Sequence, residues 1–234
     1  MVGCFIIIGI AIPLLVFYVI SKCQKSDLKE LFLKTGVSVL FVVLALVATL
    51  NSGKFNLFNL LIISGLLLGL LGDIFLDLKY IDQERTAGYT YAGFTVFGLG
   101  HVLFMSGLIM NYYQKGGILI LILAILLDIV CAFATILMEK PLKLNYGKMK
   151  PICFAYALCL FGTLSFSLFL AIQNHFQITS LNMFLVGAAL FAISDLVLSG
   201  SYFGEGKNRP IDYILNYATY YGAQFVIALL LLFA

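Results

Sequence analysis

Charge is scarce in this chain: Asp, Glu, Lys and Arg make up 11% of its 234 residues, against 62% hydrophobic residues and a mean hydropathy of +1.08. No soluble domain needs that much apolar surface, so an aqueous globular enzyme is excluded. The formal net charge of +3 is too small to imply a nucleic-acid partner. Histidine is limited to His101 and His175, which argues against a multi-histidine metal cage. The cysteines, at 4, 23, 131, 153 and 159, are odd in number and mostly lie in apolar runs. They read as small buried hydrophobes and not as a disulfide framework. No tract has the spacing of a zinc, P-loop or dinucleotide motif. Prolines are few (Pro13, Pro141, Pro151, Pro210) and three of them fall at helix ends or loops, so broken transporter-type helices are not evident. The alternating ten-residue strands of a β-barrel are missing as well.

What the chain does have is a series of unbroken apolar runs. Windows of about 17–25 such residues mark membrane-spanning helices. Eight are expected, near 2–20, 35–50, 57–78, 90–111, 117–138, 151–172, 181–199 and 211–233. The fold class is therefore all-α, a polytopic transmembrane bundle. The short connections leave no room for an extramembrane domain, so residues 1–234 form a single transmembrane unit. The first run lacks a basic n-region and an A-x-A-like cleavage site, and is expected to remain as the first helix.

The few charges are unevenly placed. The odd-numbered connections carry twelve Lys and Arg residues: Lys22, Lys25, Lys29, Lys34, Lys79, Arg85, Lys140, Lys143, Lys148, Lys150, Lys207 and Arg209. The even-numbered ones carry Lys54 and Lys115 alone. By the positive-inside rule the odd connections are cytoplasmic and both termini lie on the other side. Helices 3 and 7 then run inward, placing Asp73 and Asp195 at similar depth in the cytoplasmic half. Helices 4 and 8 start at that face, and His101 and Gln224 reach toward the same level.

A carboxylate at membrane depth costs roughly 2.5–3.5 kcal/mol on insertion scales and by default signals function. Asp73, in LLGDIFLD, and Asp195, in AISDLVLS, both follow a small residue and both open a D-[IL]-x-L run. Their offset is 122 residues; that of His101 and Gln224 is 123, and that of Lys34 and Lys150 is 116. Two parallel four-helix repeats, 1–115 and 116–234, would give this pattern; so would coincidence among Leu-rich helices. Asp77, one turn below Asp73, reads equally as a solvated helix-end carboxylate or as part of a site. Asp128 in helix 5 is deep, charged and without an obvious partner. Helix 8 carries Tyr213, Asn216, Tyr217, Tyr220 and Gln224 at three-to-four spacing, a polar ribbon down one face. Tyr213 suits an interfacial belt, whereas Tyr220 and Gln224 lie too deep for one. Ser194 flanks Asp195 and has a hydroxyl to offer a neighbour.

Taken in order, these residues resemble the YhhN family of lysoplasmalogenase-like membrane proteins. The resemblance rests on Lys34 before helix 2, GD at 72–73, and G-L-G-H-x-x-F at 98–104. It continues through Tyr156, G-A-x-x-F-x-x-S-D from Gly187 to Asp195, and T-Y-Y-x-A-Q from Thr219 to Gln224. One departure is Thr35, where the family commonly has proline after the lysine. The resemblance implies an eight-helix hydrolase that cleaves the vinyl ether of a lysophospholipid substrate among membrane lipids, releasing a fatty aldehyde and glycerophosphoethanolamine or glycerophosphocholine. Neither cofactor nor metal is implied. Vinyl ether hydrolysis needs an acid to protonate carbon and an anion to stabilise an oxocarbenium ion and activate water, roles that two unlike carboxyl groups can share. Asp73 and Asp195 are the expected pair. His101, Tyr156, Ser194, Tyr220, Tyr221 and Gln224 are candidates to position water or substrate. Lys34 is a candidate phosphate contact or, equally, a snorkelling interface lysine. The competing readings are a proton-coupled transporter, a non-catalytic lipid-binding protein and, lower, a metal-dependent hydrolase of the ceramidase type.

Overall fold

A computed structural model describes residues 1–24, 27–115, 117–204 and 209–234. Its eight helices are α1 (Val2–Gln24), α2 (Asp27–Ser52), α3 (Leu57–Ile81), α4 (Thr86–Tyr112), α5 (Ile118–Leu137), α6 (Lys150–Gln173), α7 (Thr179–Phe203) and α8 (Pro210–Leu229). Each is long and apolar enough to cross a membrane. Single 3₁₀ turns at Gln83–Arg85, Gly147–Met149 and Leu230–Leu232 complete the helical content.

The ends differ from the apolar windows in one consistent way. Several helices run on into their charged flanks: α2 begins at Asp27 and not near 35, α4 at Thr86 and not near 90, and α7 continues to Phe203. Hydropathy sees only the lipid-matched part of a helix, whereas segments such as Asp27–Lys34 are rich in good helix formers. Lys34 therefore lies two turns inside α2 and not before it. Likewise Lys22 belongs to α1, Lys79 to α3, and Lys150 opens α6. Lys25 and Lys207 of the charge count lie outside the described residues.

Starts are set locally. The Asn56 side chain accepts from the Asn59 N–H at 2.9 Å and caps α3. Pro151 and Pro210 sit in the first turns of α6 and α8, where a missing N–H costs nothing.

The helices α2, α3, α4, α6, α7 and α8 form a closed ring in that order of neighbours, with α1 laid on α2 and α8 and α5 laid on α6. The order of packing within α1–α4 is the order within α5–α8, and the halves meet through α4 on α6 and α2 on α8. The α3–α4 contact is close because small residues alternate with aromatics across it. A Cβ on Gly100 would stand 3.1 Å from the Gly65 carbonyl oxygen, and one on Gly72 would stand 2.5 Å from the Phe97 ring. Outward faces are apolar: Phe5, Ile6 and Val16 on α1 and Leu126, Val130 and Phe133 on α5 are exposed, as suits a lipid-facing wall.

The odd-numbered connections share one end of the ring. The Lys22 ammonium lies 4.1 Å from the centre of the Tyr80 ring. The Tyr91 hydroxyl donates to the Lys148 carbonyl at 2.9 Å, and Asn145 N–H donates to the Phe203 carbonyl at 2.8 Å. At the opposite end Gln114 donates to Asn174 at 2.8 Å, joining connections 4 and 6. The end that carries the odd-numbered connections, with most of the Lys and Arg residues, is the basic end of the molecule.

Candidate active site

Lys34 and Ser38 are one turn apart on α2, and Asp73 and Asp77 are one turn apart on α3, so each helix presents a polar pair on one face. The two faces meet. The Lys34 ammonium lies 3.3 Å from Asp73 Oδ1 and 3.1 Å from Asp77 Oδ1. Ser38 donates to Asp73 Oδ2 at 2.6 Å, and the Tyr220 hydroxyl of α8 donates to the same oxygen at 2.7 Å. Gln224 donates to the Tyr220 oxygen at 3.0 Å, which leaves the tyrosine proton directed at Asp73. Tyr221 reaches the Lys34 carbonyl at 3.3 Å and lies 3.3 Å from Ser38 Oγ. Asp73 thus accepts two hydrogen bonds, lies beside an ammonium and is 2% exposed. Such a cradle serves an ionised carboxylate, which can only accept.

This geometry decides two readings that the sequence left open. Asp77 is not solvated but buried and ion-paired, with Oδ2 lacking a hydrogen-bond partner among the described residues. Lys34 does not snorkel: its side chain is buried, its ammonium turned inward between two carboxylates.

The opposite wall is different in kind. Asp195, on α7, accepts a hydrogen bond from the Tyr156 hydroxyl of α6. Phe94 stacks on Tyr156, with ring centres 5.5 Å apart. Asp73 and Asp195 occupy equivalent places, 16 residues beyond Leu57 in α3 and 16 beyond Thr179 in α7. Both line one cavity of about 30 Å³, with Lys34, Phe97, Phe191 and Tyr220 among the other walls. That is room for a water or two.

The remaining candidates stand behind this wall or beside it. His101 lines neither this cavity nor the two larger spaces beside it. Its Nδ1 lies 3.1 Å from Thr163 Oγ1, whose hydroxyl donates to the Cys159 carbonyl at 3.0 Å. The threonine oxygen is then the acceptor, which assigns the proton to Nδ1. The ring is held edge-on by Phe104, Tyr156 and Phe191, and Nε2 has no hydrogen-bond partner among the described residues. Ser194 reaches the cavity, but its hydroxyl and carbonyl oxygens both accept from Asn216 at 2.9 Å, fastening α7 to α8. Gln224 and Tyr221 orient the donors of Asp73 without lining the cavity. Asp128 stays apart: on α5 it faces Gly162 of α6, and its Oδ1 has no hydrogen-bond partner among the described residues.

Two larger spaces adjoin. An apolar groove of about 400 Å³ runs between α5, α6 and α7, past Cys131, Cys153, Leu160 and Leu196 to the connection at Leu144 and Tyr146. It shares Phe94, Tyr156, Asp195, Leu198 and Tyr202 with the small cavity. Its volume lies within the range of about 300–1,000 Å³ usual for ligand sites. A wider vestibule of about 670 Å³ opens at the basic end, between Lys22, Lys79, Tyr80 and Tyr213. Tyr202 borders all three spaces. Among the described residues no three His, Cys, Asp or Glu side chains gather as a metal ion would require.

Ser38, Thr163 and Tyr202 were not singled out by the sequence. Ser38 had a usable signal, its i+4 spacing from Lys34; a lone serine or threonine in an apolar run otherwise carries none.

The profile of the YhhN family matches residues 30–231, from the second turn of α2 into the chain's last helical turn. The chain belongs to the YhhN family. No curated protein and no solved structure matches it significantly. The matched stretch contains both aspartates, Lys34, Tyr156 and the whole α8 ribbon, so every group of the site falls within the family's span.

Proposed function

We propose that this YhhN-family protein is a lysoplasmalogenase, hydrolysing the vinyl ether of a lysoplasmalogen within the membrane. The observation that carries the reading is the pairing of two carboxyl groups of unlike surroundings on one small cavity: Asp73 between two hydroxyl donors and an ammonium, Asp195 beside a tyrosine and an apolar groove. Pairs set apart by environment are how acid and base roles divide between like side chains.

In this mechanism the alkenyl chain lies in the groove. Asp195, in its neutral form, protonates the β-carbon of the vinyl ether, and the π electrons of the double bond form the new C–H bond. The resulting oxocarbenium ion faces Asp73, whose charge stabilises it and whose oxygen takes a proton from water as that water adds to the α-carbon. The hemiacetal then collapses: its hydroxyl proton leaves to a carboxylate, the C–O bond to glycerol breaks, and the glycerol oxygen receives a proton. The sum is one water consumed, one fatty aldehyde and one glycerophospho-compound released. Tyr156 holds Asp195 in place, and Tyr220, backed by Gln224, holds Asp73. Lys34 acts as the counter-cation of Asp73 and Asp77, a role that takes up its charge and leaves the lipid phosphate to other cations. No cofactor enters. The basic end is taken to face the cytosol, with both termini opposite, on the strength of the loop charges.

The test is turnover by purified Asp73→Asn and Asp195→Asn proteins, with binding of a saturated 1-O-alkyl lysophospholipid as the folding control. General acid–base groups contribute about 10²–10⁴-fold. Each variant should lose activity on that scale while still binding the saturated analogue. Near wild-type turnover in either variant would remove the dyad.

A further inference from the structure

The vestibule at the basic end contains a cation that the site described above does not use. Lys79 sits in the last turns of α3, is 8% exposed, and has no carboxylate within ion-pairing distance among the described residues. Its nearest acidic neighbour along the helix, Asp77, is already paired with Lys34. The Lys79 ammonium rests instead on aromatic faces, 3.1 Å from the centre of the Tyr202 ring and 4.9 Å from that of Tyr80. Cation–π contact offsets part of the desolvation of an ammonium but supplies no counter-charge. A second cation, Lys22, stands over the other side of this corner against Tyr80 and is balanced by Glu30 at 2.7 Å. Among the described residues, the charged side chains that line the vestibule are both cations.

The position of this cation matters as much as its charge. Tyr202, on which Lys79 rests, also borders the reaction cavity and the apolar groove. A single-chain amphiphile with its tail in the groove and its polar head in the vestibule has its linking bond beside Asp195.

We infer that the vestibule is an anion subsite in which Lys79, assisted by Lys22, receives the phosphate of the lipid head group. This rests on the proposed function for the identity of the lipid, although phosphate recognition stands on the vestibule alone. The subsite fixes the depth of the head and so the register of the chain in the groove. A neutral monoalkylglycerol gains nothing from it.

The experiment measures displacement of a fluorescent lysolipid from purified full-length protein by two uncleavable competitors, a saturated 1-O-alkyl lysophosphocholine and the matching 1-O-alkylglycerol. A charge-assisted contact should favour the phosphate-bearing competitor by on the order of 10–100-fold in the wild type. Lys79→Gln should bring that preference close to unity with alkylglycerol affinity unchanged, and Lys79→Arg should keep most of it. An undiminished preference in Lys79→Gln overturns the assignment. Loss of alkylglycerol binding along with phosphate preference overturns it too, because Lys79 would then be a packing residue. Inorganic phosphate or glycerophosphocholine displacing the probe as well as the intact lipid would make this a free-ion site and overturn the head-group assignment. Neither competitor has a vinyl ether, so failure of aldehyde release leaves this result untouched.

Discussion

Removing Lys34 should be the most damaging single change to the site that leaves both proposed catalytic groups in place. Lys34→Met keeps the length and apolar stem of the side chain and deletes its charge. The ammonium lies 3.3 Å from Asp73 and 3.1 Å from Asp77, and the side chains are 6%, 2% and 4% exposed. At an effective dielectric near 20, each contact is worth about 5 kcal/mol of gross attraction, most of which offsets the desolvation of three buried charges. The variant keeps that desolvation for two carboxylates and loses the attraction. Breaking a buried pair from one side costs about 3–5 kcal/mol, and Lys34→Met is expected in that range. Asp77→Asn leaves the Lys34–Asp73 pair balanced and should cost less, about 1.5–3 kcal/mol, as for the loss of one charged hydrogen bond. The double variant removes one charge of each sign, so it should be more stable than the sum of the singles predicts, by at least about 1 kcal/mol. Equilibrium unfolding of the four purified proteins in mixed detergent gives the cycle. A Lys34→Met cost below about 1 kcal/mol, or strict additivity, would refute the view that this triad is a buried, mutually dependent unit.

Two further outcomes follow from particular contacts. A Cβ at Gly69 would stand 2.8 Å from Gln224 Nε2, so Gly69→Ala should push that amide off the Tyr220 hydroxyl, costing about 1 kcal/mol of stability and lowering turnover. Gly88→Ala, where a Cβ meets nothing within 4 Å, should change neither, and equal effects of the two would contradict the assignment. At the rim of the groove, Glu139 accepts from Lys150 at 2.6 Å and from the Tyr146 N–H at 3.0 Å, and these bonds hold its carboxyl below the ordinary glutamate range. A carboxyl with a depressed folded value stabilises above its ordinary pKa and loses that contribution as pH falls through the folded value. The protection of amides over 138–146, measured against the intrinsic exchange rate at each pH, should therefore fall on acidification below the glutamate range, and Glu139→Gln should show the lower protection already at neutral pH. Exchange in that variant as slow as in the wild type would refute the pin.

The parts of this architecture that depend on composition were legible in the sequence, and those that depend on which faces meet were not. Eight unbroken apolar runs give eight helices because lipid leaves the backbone no other way to satisfy its polar groups. Asp73 and Asp195 stood out because an intramembrane carboxylate is expensive, and their common wording anticipated their common cavity. Lys34 was harder. Hydropathy ended its helix at the edge of the apolar window, whereas Asp27–Lys34 continues the helix and turns the ammonium inward onto α3. The status of Asp77 depended on that same rotation, which a sequence does not display. His101 is a comparable case: the G-L-G-H run marks it, but only the aromatic wall of Phe191 and Tyr156 puts it behind the cavity. Lys79 looked like one more basic residue at a helix end until Tyr202, distant in sequence, closed over it.

The central claim, hydrolysis of a vinyl ether by carbon protonation, is tested most directly in deuterated water. Purified protein is incubated with an alkenyl lysophospholipid, and the released aldehyde is trapped at once by reduction and analysed by mass. The account predicts aldehyde release well above the protein-free rate, with one solvent deuterium on the carbon next to the carbonyl. No aldehyde above the blank from folded wild-type protein, or aldehyde without that deuterium, would contradict it.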